Sequence, residues 1–447
     1  MYAEVFKTGE AIFKGVTQVL GISEGKTSSS TAPVAVNGLA WHRKELVEFG
    51  DGEVGVACGT GQLLPIRQFK VSSERKAVSV EEVSKGVFVL ENDQLRVKVE
   101  QGLITSLYDR RNDREVIEEG QKANQYVIFD DKPLYWQAWD VEVYHLDTGK
   151  PLPNGESKIS ENKDHRVSIV TKTKISDKSS LETTISLSAA LDGVDSWLEC
   201  RADVDWHETM KFLKVEFPVE VRNTEANYET AYGITRRPTH YNTTWDMAKF
   251  EVCCHRFADL SEPAYGVSIL NDSKYGFATC GNLMRLSLLR APKAPDAHAD
   301  MGKHTIRWGI LPHAGALGAS TIKAAYAFNS PMRVASVAKE TINTLGSSSP
   351  VKITGDSSLF IDAIKRGEDD EDVSRGKLPR RKGRNVIVRV YESLGSRSRG
   401  VIETEWPVKR VFKTNVLEDD IDEVDMGGDK FAVTLRPFEV ATYRLEL

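Results

Sequence analysis

The apolar positions of this chain change period once, near residue 21. Over residues 2–20, Val5, Phe6, Ile12, Phe13, Val16, Val19 and Leu20 recur at mostly helical spacing, and Gly21 follows where a C-capping glycine would sit. That pattern predicts an amphipathic helix. A helix of this length is marginal in water without something to cover its apolar face, so it reads as the tail of a longer helical region. Residues 23–33 form a Ser/Thr-rich linker. From Val34 onward the dominant period is two, as in strands with one solvated face. Strands are expected over residues 34–41, 45–49, 86–90, 95–99, 104–109, 167–173, 181–187, 197–204, 212–217 and 322–328. Three more, at 386–392, 431–435 and 440–445, close the chain, and residues 50–61 read as Gly-rich turns. Long helical patterns are missing after residue 21.

The pattern therefore predicts a mainly β protein with a short N-terminal helix, its sheets stacked as antiparallel β-sandwiches. The expected division is 1–22 as the end of a helical domain, 23–33 as linker, 34–84 as a small β-domain and 85–345 as a large β-sandwich. Residues 346–384 then supply connecting strands and a charged loop, and 385–447 a C-terminal β-domain.

Composition narrows the class more than the function. The 447 residues are 40% hydrophobic and 28% charged with a net charge of -6, which gives no argument for nucleic acid or an anionic membrane as partner. The acidic run at 368–372 faces a basic run at 377–384 in sequence, so the two are expected to make a solvated, locally neutral loop. Five cysteines are sparse and odd in number. Cys253 and Cys254 are adjacent and would point to opposite faces of a strand, and neither a disulfide framework nor a Cys-x-x-Cys site is present. A reducing compartment fits. Neither a secretory signal nor an apolar run approaching the roughly 20 residues of a membrane span appears. The expected location is cytoplasmic.

Candidate chemistry concentrates between residues 232 and 313, where polar and aromatic residues are punctuated by Pro and Gly, as in strands whose loops carry a site. Six of the nine histidines fall between His207 and His313. Asp203, Asp205 and His207 would share one strand face, which is either the start of a metal site or an ordinary solvated face. His298 and His304, with Asp296 and Asp300, lie in a Pro-rich loop after Arg290. That loop is either the wall of a sugar pocket or a set of turn caps. Residues 129–140 bring Tyr135, Trp136, Trp139 and Asp140 together. Aromatic faces stack on sugar C–H surfaces beside carboxylates that accept hydroxyl hydrogen bonds, although one of the two tryptophans is expected to belong to the core. Nothing matches a phosphate loop, a Ser-His-Asp order or a nucleotide fingerprint.

Several strings are similar to those of one family. Tyr241-Asn-Thr-Thr-Trp-Asp246 after Arg237-Pro-Thr-His240, Leu270-Asn-Asp-Ser-Lys-Tyr-Gly276 and Leu288-Leu-Arg-Ala-Pro-Lys-Ala-Pro-Asp296 resemble glycoside hydrolase family 38, particularly its cytosolic and fungal vacuolar α-mannosidases. The Phe129–Asp140 segment and the closing Arg389-Val-Tyr-Glu392 and Arg436-Pro-Phe-Glu439 do the same. The resemblance implies a retaining glycosidase that releases terminal α-linked mannose with two carboxyl groups and one divalent metal, usually zinc. It also implies that the nucleophile, acid and metal ligands lie on an N-terminal barrel and a helical domain, whose motifs are not found here. No catalytic or metal residue is therefore assigned to this chain, and no metal is expected to be bound by it alone. Trp136, Trp139, Asp140, Trp245, Asp246, His298 and His304 are the candidate substrate contacts. The expected partners are α-mannoside oligosaccharides and another copy of the chain, with no nucleic acid and no membrane.

Overall fold

Period-two alternation becomes paired strands in the computed structural model, which describes residues 2–19, 22–23, 31–50, 52–70, 77–345, 349–374 and 381–447. Every pairing between its strands is antiparallel, as expected for a β-sandwich protein. Contacts divide the chain into two units, residues 71–329 and the combination of 1–70 with 330–447. Among the described residues no helix is long and apolar enough to cross a membrane.

The unit of residues 71–329 is built around a nine-stranded and a six-stranded sheet. The long central strands Arg166–Lys174, Ser180–Ser188, Leu198–Trp206 and Gly302–Ala314 place Ile169, Ile185, Cys200 and Ile306 inward with almost no exposure. Large residues bridge the two sheets. Tyr126 of the six-stranded sheet bonds Thr183 Oγ1 at 2.7 Å and meets the Trp308 ring edge-on at 6.1 Å. Tyr228 of the nine-stranded sheet donates to Thr279 Oγ1 at 2.8 Å and packs on Phe277. A third, five-stranded sheet contains Val87–Asn92, Leu95–Glu100 and Leu103–Asp109.

A buried polar network is enclosed in the nine-stranded sheet. Asp259, fully buried, accepts from Asn227 at 3.0 Å, from Ser261 and Ser268 at 2.8 Å, and from His313 Nε2 at 2.8 Å. Gly266 is the register partner of His313, and a Cβ there would stand 2.3 Å from the imidazole, so only glycine leaves room for the ring. Burial alone would push the His313 pKa down, but the hydrogen bond and charge of Asp259 carry it above the ordinary histidine value. A folded-state pKa above the unfolded one stabilises the fold fully below the unfolded pKa, and that stability is lost as pH rises through the folded value. Stability is thus expected to fall as pH climbs from about 6.5 upward, and His313→Gln should flatten that limb. Urea melts across the range check it. A wild-type and variant profile of the same slope would remove His313 from the account.

In the other unit, the strand Thr31–Val36 lies between Arg333–Ala338 and Leu63–Gln68 in one sheet. A separate core of Val351, Val388, Val390, Ile402, Phe431 and Leu445 fills the C-terminal strands. The helix Tyr2–Val19 is present as predicted, with Val5, Phe6, Ile12 and Val16 exposed, while Gly21 lies outside the described residues.

Three sequence-based expectations need correction. Residues 322–328 are not a strand but part of the helix Ala319–Asn329. Its buried Thr321, Ile322, Ala325 and Phe328 follow helical spacing, and four alanines favour the helix locally. The glycine-rich stretch at 50–61 turns at its two ends and forms the strand Glu53–Gly59 between them. The charged loop is not simply solvated. Asp370 is fully buried, accepts from Arg366 at 2.8 Å and from both the backbone and side-chain nitrogens of Asn385, and so anchors the loop. Residues 375–380 of the basic run lie outside the described residues.

Candidate functional site

One end of the six-stranded sheet gathers the aromatic loops. Gln125–Asp130 and Leu283–Arg290 flank Lys211–Pro218 on either side, each antiparallel to it, so both leave the sheet at the same end. The first continues into the loop of Trp136 and Trp139, the second into the loop of Asp296 and His298. Arg290 joins the two. Its guanidinium donates to Asp131, 2% exposed, through Nε at 2.7 Å and Nη2 at 3.0 Å. The same Nη2 donates to the carbonyls of Gln137 and Asp140 at 3.0 and 2.7 Å. The backbone N–H of Lys293 donates to Gln137 Oε1 at 2.9 Å, a second tie between the loops.

What this clamp presents is apolar. Trp136 and Trp139 are 72% and 69% exposed, with ring centroids 6.3 Å apart and nearly perpendicular. The expectation that one of them belongs to the core is therefore wrong. Both stand out because Trp136 adopts φ 53°, a left-handed conformation unusual for a side chain this large, and its carbonyl accepts from the N–H groups of Trp139 and Asp140. Strain of this kind persists where the surrounding bonds over-determine the backbone, as Arg290 does here. Leu134, Tyr135 and Tyr144 extend the same exposed stretch. An apolar cluster this open is characteristic of a surface that meets something.

The 3-10 helix Val143–Thr148 follows and lies against the sheet. Its His145 is buried, bonds the Glu142 carbonyl through Nδ1 at 2.7 Å, and packs against Phe129, Phe212 and Phe250. Burial, reinforced by the nearby Lys214 ammonium, lowers its pKa and disfavours the charged ring. The Phe250 contact brings in the third loop, which carries Trp245 on the short helix Thr244–Met247. Trp245 is 80% exposed. Asp246 has a structural task, since it accepts from Thr243 Oγ1 at 2.9 Å while its own N–H donates back to that hydroxyl, and its carboxylate lies 3.6 Å from His240.

Beneath these loops the sheet face holds an ion pair among aromatic rings. Lys214 is fully buried and donates to Glu251 at 2.5 Å, and Glu251 also accepts from Ser287. Burial pushes the Lys214 pKa down, against the pull of Glu251. A Cβ on Gly276 would stand 2.6 Å from the Glu251 carboxylate, so the strand Gly276–Cys280 begins with the residue that lets this carboxylate reach the sheet. Sequence patterning missed Arg290, Asp131, Lys214 and Glu251 as parts of the site. The available signal was Lys214 between Phe212 and Glu216, a cation on a strand face that otherwise reads as covered.

The remaining candidates are held by turns. Asp296 accepts the His298 N–H at 2.8 Å, and His304 Nε2 bonds the Asp300 carbonyl at 2.7 Å. Asp203 is taken by Thr305 at 2.6 Å and Arg201 at 3.0 Å, and Asp205 by His207 at 2.9 Å, all on the solvated face of the strand. Among the described residues no group of three or more His, Cys, Asp or Glu is arranged to hold a metal ion, so the divalent metal implied by the resemblance has no fitting donor set here.

Comparison with known proteins gives the architecture a family. Residues 90–298 match the glycosyl hydrolases family 38 C-terminal domain, and 358–443 match the family's C-terminal beta sandwich domain. An alpha-mannosidase of Saccharomyces cerevisiae is 45% identical over 377 residues, covering 80% of this chain and 34% of the relative. The human alpha-mannosidase 2C1 is 35% identical over 426 residues, covering 92% of this chain and 39% of the relative. The chain thus spans about a third of the length of the curated relatives it matches. A crystal structure of an alpha-mannosidase from Enterococcus faecalis shares the fold with a TM-score of 0.64 at 14% identity, over 94% of this chain and 51% of that one. The chain belongs to glycoside hydrolase family 38, of which it represents the C-terminal β portion.

Proposed function

We propose that this chain is the carbohydrate-facing β region of an α-mannosidase, a retaining glycosidase that releases terminal α-linked mannose from oligosaccharides. The observation that carries the proposal is the exposed Trp136–Trp139 pair on a loop fixed by Arg290. Rigid aromatic faces with neighbouring polar groups are the usual means of gripping a sugar ring. Asp140, Trp245, Asp246, His298 and His304 complete the proposed surface. The family names of the yeast and human relatives support the substrate class. The chain contributes binding and orientation, and neither a nucleophile nor a metal-dependent step is assigned to it. A cytoplasmic or vacuolar setting belongs to the same proposal.

The test is a titration of the 447-residue chain with mannose oligosaccharides by tryptophan fluorescence, alongside an aryl α-mannoside assay. Saturable binding without turnover is expected. Trp136→Ala with Trp139→Ala should weaken binding by about tenfold or more, equivalent to roughly 1.4 kcal/mol, with little change in thermal stability since both rings are exposed. Absence of binding overturns the sugar-facing assignment, and turnover overturns the view that the chemistry is supplied elsewhere.

A further inference from the structure

We propose that Cys58 is a reactive thiol that forms mixed disulfides with small disulfides of the glutathione class, with His42 as the base that takes its proton. The site lies in the unit of residues 1–70 and 330–447. There the strand Glu53–Gly59 pairs with Arg43–Phe49 and sets Cys58 opposite Lys44. Partners directly opposite in an antiparallel pair extend to the same face, and His42, two residues before Lys44, shares that face. The Cys58 Sγ and His42 Nε2 are 3.5 Å apart, both exposed.

The pairing with imidazole, more than exposure, sets this thiol apart. Cys200 and Cys254 are buried and Cys280 is half-buried. Cys253 is exposed as well, yet has no imidazole within hydrogen-bond reach among the described residues. A thiol is a poor nucleophile until its proton is removed, so an adjacent base is what separates a reactive cysteine from an inert one. As Sγ attacks one sulfur of the small disulfide, the new S–S bond forms and the old one breaks. His42 Nε2 receives the thiol proton and returns it to the departing thiolate, so one disulfide and one thiol enter and one of each leave. Lys44, directly opposite Cys58, puts a cationic side chain on the same face, which suits an anionic peptide disulfide.

Cys253 makes the test internal to one sample. The intact chain is treated under native conditions with iodoacetamide and, separately, with glutathione disulfide, and each cysteine is followed by peptide mass analysis. Cys58 is expected to react about tenfold faster than Cys253 with both reagents, a modest share of what a positioned base supplies. His42→Gln should remove most of that advantage and leave the Cys253 rate unchanged. Equal rates at the two cysteines in the unaltered chain overturn the proposal. A His42→Gln chain whose Cys58 rate is unaltered overturns it too, and an unchanged thermal midpoint shows that the variant has kept its fold.

Discussion

Arg290→Met is expected to lower the thermal midpoint by roughly 10 °C and to abolish measurable oligosaccharide binding. The reasoning starts from Asp131, which is 2% exposed and loses both guanidinium bonds. A buried carboxylate stripped of its cation costs about 3–5 kcal/mol, and each kcal/mol moves the midpoint of a unit this size by about 2–4 °C. The same substitution frees the carbonyls of Gln137 and Asp140 and leaves the Lys293–Gln137 bond as the remaining described tie between the loops, so Trp136 is held less firmly in its left-handed conformation and the two rings lose their fixed geometry. Differential scanning calorimetry and the saccharide titration read the two effects separately. A variant with a near-native midpoint and intact binding would mean that Arg290 is not the clamp. A lowered midpoint with binding retained would mean that the loop is held from elsewhere.

Lys214→Met should be nearly as damaging, and its partner substitution should repair it. Removing the ammonium leaves the Glu251 carboxylate, 15% exposed, with Ser287 as its remaining donor, again a loss of about 3 kcal/mol or more. Replacing both members by Met and Leu removes the charge and its counter-charge together, and apolar pairs of similar volume often recover the stability of a buried ion pair. Phe212, whose ring lies 4.4 Å from the Lys214 ammonium, and Phe129 already provide an apolar surround. The double-mutant cycle, measured by urea unfolding, is expected to give a coupling above about 2 kcal/mol. Additive losses would show that the pair is not a unit.

The strands were legible where one face of a sheet is wet and the other dry, as in Leu198–Trp206, whose alternation is plain in the burial of successive residues. Legibility failed where that contrast is absent. Residues 322–328 are short and apolar enough to fit either period, and only their packing as Thr321, Ile322, Ala325 and Phe328 decides for helix. The aromatic density of residues 129–140 pointed to the right loop, because tryptophans set among charges and a proline have no regular apolar face to join. What holds that loop could not be read in the same way. Arg290 and Asp131 are 159 residues apart in the chain, and nothing local to either announces the other. Asp370 failed for the opposite reason, since an acidic run looks solvated until one carboxylate of it is found turned inward onto Asn385.

The strand Thr31–Val36 sits between Leu63–Gln68 and Arg333–Ala338, which sets an order in time as well as in space. During synthesis its first neighbour emerges almost at once, while the second appears only after the whole of residues 71–329 has left the ribosome. Until then Thr31–Val36 is an open sheet edge with unpaired backbone groups, the kind of surface that recruits strands from other chains. The two units are thus expected to mature out of chain order, the inner one first. Nascent chains in which residues 333–338 have not yet emerged from the ribosome should be the aggregation-prone species, and those in which they have emerged should not.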